Sequence, residues 1–182
     1  MENIVLGLLM LQSMTIYQLN QAFGMGLSMI YAASYGNLQY AVKKLLDAEM
    51  ISFEEKVENG RNKKIYNINK SGVDEFFRWM MDDADPRHIE TVMLSKVYFM
   101  GLIEKDDDKI EIIDKILYAA QGYADQLTHA KSIFDKMEIS ASDMRIAKYQ
   151  FATLDYGIGA HDFAIGWLKK LKQDIKNNGE EK

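Results

Sequence analysis

The residues best suited to recognition chemistry lie in one predicted helix, from Ser34 to about Glu49. Its inner face is apolar at helical spacing and consists of Leu38, Ala41, Val42 and Leu45. The opposite face carries Gly36, Tyr40, Lys43 and Asp47, flanked by Asn37, Lys44 and Gln39. The candidate DNA contacts on this outer side are Tyr35, Asn37, Gln39, Tyr40, Lys43 and Lys44. Amides can bond adenine bidentately, lysines bind phosphate or guanine, and phenols bond phosphate or pack on thymine methyls. This face therefore predicts a helix that enters the major groove of DNA; the competing interpretation is an ordinary solvated face.

A second cluster of cations follows in a predicted β-hairpin. Ile51, Phe53 and Glu55 alternate with polar residues, Asn59-Gly60 is a turn signal, and residues 63–68 alternate again. Residues 56–70 carry five basic side chains against the single acidic Glu58, inside a chain of net charge −5. The tip and second strand place Arg61, Lys63 and Lys64 as candidate phosphate contacts. The alternative is that these lysines protect a sheet edge from aggregation.

The neighbouring elements predict how this cluster is positioned. A helix over residues 4–11, a second helix after Thr15, the helix from Ser34, the hairpin and a helix capped by Asn69 or Ser71 follow in order. That order is typical of a winged helix-turn-helix. Pro86 follows an acidic stretch and disfavours helix at Asp85, so it marks the predicted boundary. We expect a winged helix-turn-helix DNA-binding domain over residues 1–85 and an α-helical domain over residues 86–182.

The second half carries two long helical seams with alternating spacings of three and four. The first contains Ile113, Ile116, Ala120, Tyr123, Leu127, Ala130, Phe134 and Met137, and the second contains Met144, Ala147, Phe151, Leu154, Ile158, His161, Ile165 and Leu168. Helices of about 25 to 30 residues present roughly 40 Å of seam, which is longer than a small winged domain can bury. This favours a coiled-coil-like dimerisation domain. A homodimer would read an inverted-repeat operator in double-stranded DNA.

Several aromatic residues suggest an effector pocket. Trp79, Met93, Tyr98, Tyr156 and Trp167 could line a site for a planar or apolar small molecule. His161 could contact such a ligand or sense pH, because imidazole titrates near physiological pH. The simpler interpretation of all six residues is packing.

Other classes of function have little support. With no cysteine, the chain can form no disulfide, thiolate nucleophile or cysteine-built metal site. The three histidines are scattered, Gly24-Met25-Gly26 does not continue a dinucleotide fingerprint, and no cofactor, metal or catalytic site is expected. The start of the chain lacks a cationic leader and a membrane-length apolar run, which predicts a cytoplasmic protein. The acidic net charge keeps one alternative open, a winged-helix protein-interaction module that does not bind DNA.

The same residues resemble the PadR family of transcriptional regulators, in particular Vir-type members with a long helical C-terminal region. The matching positions are Ile4 to Leu9, Tyr17, Leu19, Ser34, Gly36, Leu38, Ala41, Leu45, Arg61, Lys63, Lys64, Tyr66, Ile68, Gly72 and Trp79. Two positions depart from the family pattern: Ile16 replaces a glycine, and Gln39-Tyr40 stands where Tyr-Pro is usual. The resemblance implies a dimeric repressor that leaves DNA when it senses a small molecule or a stress.

Overall fold

The structure, a computed structural model, describes residues 1–27, 30, 34–58 and 61–180. The side chains of residues 25, 26, 58, 61 and 178–180 lie outside that description. The predicted turn at Asn59-Gly60 also lies outside the described residues. None of the helices in the described part of the chain has the length and apolar character needed to span a membrane.

The described residues form seven α-helices and three strands. The first part contains α1 (Glu2–Leu11), β1 (Met14–Thr15), α2 (Ile16–Ala22), a π-helical turn (Phe23–Leu27), α3 (Tyr35–Asp47), β2 (Ile51–Glu58), β3 (Arg61–Ile68) and α4 (Lys70–Met81). The second part contains α5 (Ile89–Tyr98), α6 (Asp106–Phe134) and α7 (Ala141–Glu180), with short 3-10 turns at Pro86–His88 and Met100–Leu102. This is a winged helix-turn-helix followed by a helical region, as the sequence predicts.

The sheet is antiparallel, with strand order β1-β3-β2. Strand β1 is two residues long and was not predicted; it pairs Met14 with Tyr66 and Thr15 with Ile65. The hairpin register runs from Ile51 opposite Ile68 to Glu58 opposite Arg61. This register leaves positions 59 and 60 between the two strands.

Local capping fixes where the two central helices begin. The Thr15 hydroxyl accepts a hydrogen bond from the Gln18 backbone N–H, and the Gln18 side chain accepts from the Thr15 N–H at 2.8 Å, which completes a capping box. The Ser34 hydroxyl accepts from the Asn37 N–H at 3.2 Å and caps α3. Both caps satisfy N–H groups that a helix start leaves unpaired.

By compactness, the chain divides into two units. The first contains Met1–Asp82 and Met93–Leu102, and the second contains Asp83–Val92 and the residues from Ile103 onward. Helix α5 therefore contributes its first turn to the second unit and the rest to the first.

The first unit is built around α1, whose residues Ile4, Val5, Leu6, Leu8 and Leu9 are almost fully buried. Phe99 packs edge-on against Phe76 of α4, with 5.7 Å between ring centroids. At Gly72, an added Cβ would lie 2.3 Å from the Met50 carbonyl oxygen, so only glycine allows α4 this close to the hairpin. This core holds α3 and the hairpin in a fixed relation.

In the second unit, α6 and α7 pack antiparallel along the predicted seams. Tyr123 lies against His161 with ring centroids 4.9 Å apart, and Phe134 lies against Phe151 at 5.6 Å. Ion pairs from Lys131 to Asp155 and from Lys172 to Asp114 also join the two helices. The two seams therefore cover each other within one chain. Helix α7, at 40 residues, is longer than predicted, and Met137 lies beyond the end of α6 and is exposed.

Candidate nucleic-acid interface

Helix α3 separates its apolar and polar residues cleanly. Leu38, Ala41, Val42 and Leu45 are buried. All six side chains predicted for the outer face are exposed, namely Tyr35, Asn37, Gln39, Tyr40, Lys43 and Lys44. At 100° per residue, Tyr40 and Lys43 lie at the centre of this face and Gln39 beside them. The helix thus presents an amide, a phenol and an ammonium group side by side to solvent.

Lys44 is already engaged by the N-terminal helix. Its Nζ lies 2.9 Å from Glu2 Oε1. Burial opposes ionisation of Glu2, but the bond from Lys44, the backbone hydrogen bond and the positive charges of the N-terminus and Lys44 outweigh it and lower the pKa of Glu2 to about 2. The same bond raises the pKa of Lys44. Of the two lysines in α3, Lys43 is therefore the one better placed to meet an anion.

Adjacent residues of β3 point to opposite faces of the hairpin, and this separates Lys63 from Lys64. The Nζ of Lys64 lies 4.0 Å from the centroid of the Phe53 ring and 3.9 Å from Glu55. On that face Lys64 is packed against β2. The predicted equivalence of the two lysines therefore does not extend to their surroundings.

On the other face of the hairpin, Lys63 lies directly opposite Lys56 of β2 in the strand register. Both side chains are exposed. The backbone of Arg61 pairs with Glu58 at the end of the hairpin, and the Arg61 side chain lies outside the described residues. In the sequence, Lys56 belongs to the basic cluster but is not predicted as a contact residue. The predicted turn at Asn59-Gly60 implies a register in which Lys56 faces Lys63, and this was the signal that could have identified it.

A groove lies between α2 and the hairpin. It has a volume of about 640 Å³, and its walls are formed by Thr15 to Gln18 and Gln21 on one side and by Asn62 to Tyr66 on the other. Tyr17 is exposed, and its phenol oxygen accepts a hydrogen bond from Gln21 Nε2 at 3.1 Å. Sequence reasoning missed both residues as functional candidates, because neither lies on the recognition helix or in a charged run.

Tyr66 is a buried residue that lines this groove. Burial, and to a lesser degree the neighbouring Tyr35, raises the pKa of Tyr66. This phenol therefore stays neutral at physiological pH.

Three of the residues predicted for the effector pocket belong to the first unit. Met93 is buried, Trp79 is half-buried and Tyr98 is exposed. The Lys96 ammonium group lies 5.9 Å from the Trp79 ring centroid and bonds the Asp82 carbonyl oxygen. Tyr98 packs edge-on against Phe99 at 4.9 Å. Packing contacts therefore account for Trp79 and Tyr98, and a role in ligand binding stays a prediction.

The other three belong to α7 in the second unit. His161 is half-buried against Tyr123, as expected for a seam residue, Trp167 is half-buried and Tyr156 is exposed. Across the described residues, no three histidine, aspartate or glutamate side chains are grouped as metal ligands would be.

Helix α7 carries a second apolar repeat that the sequence reasoning did not separate from the first. This outer stripe has spacings of three and four and consists of Ile146, Tyr149, Thr153, Tyr156, Ala160, Phe163 and Trp167. At 100° per residue it lies almost opposite the seam that packs on α6. Tyr149, Tyr156 and Phe163 are 68%, 79% and 75% exposed. Helix α7 therefore has two apolar faces, of which α6 covers one.

Comparison with known proteins adds one full-length similarity in sequence. The chain is 23% identical over 172 residues to the negative transcriptional regulator PadR of Bacillus subtilis strain 168, and the match covers 92% of each chain. This chain is similar in sequence to that PadR regulator. A match of this length includes residues of both the winged fold and the long C-terminal helices, so the similarity extends well beyond the short motifs.

Solved structures of PadR from the same Bacillus species also align with the chain. The complex with operator DNA aligns at a TM-score of 0.44 and 18% identity over 96% of this chain and 98% of that one. The complex with p-coumaric acid aligns at 0.42 and 19%, with the same coverage. No protein-family model matches the chain.

Proposed function

We propose that this protein is a homodimeric, sequence-specific DNA-binding transcriptional regulator that acts as a repressor. The observation that carries the proposal is the outer face of α3, which exposes Gln39, Tyr40 and Lys43 while its inner face is fully packed. A helix of this kind fits the major groove, where amides and cations read base edges. Lys56 and Lys63, which lie opposite each other on the hairpin, would neutralise phosphates beside the major groove. In this proposal, residues 1–85 bind DNA.

The outer stripe supports dimerisation through residues 86–182. From Ile146 to Trp167 it extends for roughly 31 Å at 1.5 Å per residue. Exposed aromatic residues repeated along one helix face are rare on monomeric proteins and are typical of interaction surfaces. A second copy presents the same stripe, so two α7 helices can bury each other. Dimerisation would set two α3 helices at the spacing of half-sites about one helical turn apart.

Release by a small molecule is the proposed form of regulation. A ligand that binds better to a dimer with misplaced recognition helices would shift the population away from the DNA-competent form. The candidate contacts remain Trp79, Met93, Tyr98, Tyr156, His161 and Trp167. Because two of these are the only tryptophans of the chain, quenching of tryptophan fluorescence reports binding. The phenolic acid bound by the Bacillus protein is a sensible first compound to test.

The deciding experiment is a fluorescence-anisotropy titration with 40-bp duplexes that tile the region upstream of the protein's own coding sequence. A regulator of its own promoter should bind one duplex far more tightly than the others, and footprinting should show two symmetric half-sites. A transcription assay in vitro with the same promoter then tests repression. Equal, weak binding to every duplex at low salt would contradict sequence-specific recognition.

A further inference from the structure

Two lysines, Lys63 and Lys64, line the groove between α2 and the hairpin, and no other predicted contact residue belongs to it. One wall is the exposed phenol of Tyr17 with its partner Gln21, and the other is the β3 segment from Asn62 onward. We propose that this groove holds a phosphate of the DNA backbone and that Tyr17 donates a hydrogen bond to it. The inference rests on the proposed function, because it takes DNA as the ligand.

The hydrogen bond between Gln21 and Tyr17 sets the direction in which the phenol can act. Gln21 Nε2 donates to the phenol oxygen at 3.1 Å, so the phenol O–H hydrogen is directed elsewhere and is available to an acceptor. Tyr17 is 64% exposed, which leaves its hydroxyl accessible. A phenol held in this way is an oriented donor, and an anionic oxygen is the acceptor that benefits most from it.

The helix that carries Tyr17 is held rigidly against the sheet. The Thr15–Gln18 capping box fixes its first turn, and Thr15 itself pairs with Ile65 in the sheet. Tyr17 therefore keeps a fixed position relative to β3, and the groove exists before any ligand binds. A preformed site loses little conformational entropy on binding.

Charge selects the occupant of the groove. Lys63 and Lys64 give the β3 wall a positive charge, and the groove-lining residues of α2 are uncharged, with Tyr17, Gln18 and Gln21 polar and Ile16 apolar. In helix-turn-helix proteins the helix before the recognition helix crosses the sugar-phosphate backbone. Here that helix is α2, so a DNA strand that passes α3 in the major groove would run beside Tyr17.

The test compares Tyr17→Phe with the wild-type protein on two probes, a 30-bp duplex of mixed sequence and the tightest-binding duplex from the upstream region. Phenylalanine removes only the hydroxyl of an exposed ring, so the fold is retained; Tyr118→Phe on α6, at an 86% exposed tyrosine, is the matched control. A hydrogen bond to phosphate predicts a loss of about tenfold in affinity for both probes. The slope of log affinity against log salt should stay unchanged, because the phenol is neutral.

A second measurement locates the contact. Single phosphates of the specific duplex are replaced in turn by uncharged methylphosphonates. At one position the replacement should lower the affinity of the wild-type protein but leave the affinity of Tyr17→Phe unchanged, because the variant already lacks that contact. Gln21→Leu should also weaken binding, with no added effect in the Tyr17→Phe background. Equal affinity of Tyr17→Phe and wild type for both probes would overturn the groove contact while leaving DNA binding intact. A loss confined to the specific duplex would assign Tyr17 to base reading and overturn it too, and a wild-type protein that binds neither probe would remove both proposals.

Discussion

Lys56 and Lys63 lie directly opposite each other on strands β2 and β3, with both side chains exposed on one face of the hairpin. Like charges at opposed strand positions destabilise a sheet, typically by 0.2 to 1 kcal/mol. Such a local conflict is expected where a surface is built for a ligand. A phosphate bound between the two ammonium groups would attract both of them and offset their mutual repulsion.

Replacing Lys56 by Gln should therefore have opposite effects on stability and on DNA binding. We expect the free energy of unfolding to rise by about 0.5 kcal/mol, because the repulsion is removed. Affinity for DNA should fall, and the slope of log affinity against log salt should decrease by about 1. Urea denaturation and a salt titration measure the two effects. The control is Lys136→Gln, an exposed lysine after α6, which should change neither; an unaltered salt slope in Lys56→Gln would remove this face from the interface.

Gln39→Ala should separate specific from non-specific binding. Gln39 is exposed beside the centre of the outer face of α3, where its amide can bond two groups of one base edge. Loss of that bond predicts a penalty of about 1 to 3 kcal/mol on the specific duplex and none on a mixed-sequence duplex. The matched amide control is Gln126→Ala, exposed on α6. Parallel losses on both duplexes would mean that Gln39 contacts backbone and not bases.

The ion pair between Glu2 and Lys44 should give a pH-dependent contribution to stability. Since the pKa of Glu2 in the folded protein is lowered to about 2, the contribution is present above the unfolded pKa of about 4.5 and is lost as pH falls toward 2. Glu2→Gln should destabilise the protein at pH 7, by less than about 1 kcal/mol, and the difference should vanish near pH 2. Urea denaturation across this range tests it. A difference that persists at pH 2 would show that packing of the side chain, and not its charge, is responsible.

The same substitution also has a consequence for DNA binding. Glu2→Gln releases Lys44, which then can reach a phosphate, so affinity at pH 7 should rise and the salt slope should steepen. Anisotropy titrations at three salt concentrations distinguish this from a general loss of folding, which would lower affinity. A fall in affinity with an intact fold would show that Glu2 holds Lys44 in the orientation that DNA requires.

The sequence predicted those features that depend on local periodicity. The two faces of α3 follow from the spacing of Leu38, Ala41 and Leu45, and the hairpin follows from alternation around one turn signal. The two short pieces of backbone that it missed, β1 and the π-helical turn, have no such repeat: β1 is two residues long and is a strand only because β3 is beside it. Both were decided by tertiary packing.

Features of the site that depend on distant residues were not predictable in the same way. The pair of Lys44 with Glu2 joins positions 42 residues apart, and nothing local to α3 indicates it. The groove beside Tyr17 brings α2 and β3 together through β1, which was itself missed. On α7, the stronger repeat ending at Leu168 concealed the outer stripe, because Thr153 and Ala160 weaken the apolar pattern of the second repeat.

The outer stripe yields the sharpest prediction for assembly. Tyr156→Asp places a charge at the middle of the stripe without touching the seam on α6, since Tyr156 is 79% exposed in the single chain. If two α7 helices pack through the stripe, the variant should be a folded monomer at about 10 μM and should lose most of its affinity for an operator with two half-sites, because the advantage of binding both at once is lost.

Lys148→Asp introduces the same residue on an exposed flank of α7, about 100° from the stripe, and should remain dimeric. Light scattering after size-exclusion chromatography gives the mass, and circular dichroism verifies the helical content. A Tyr156→Asp protein that stays dimeric would mean that the copies pair through another surface, and a wild-type monomer at the same concentration would contradict the dimeric regulator altogether.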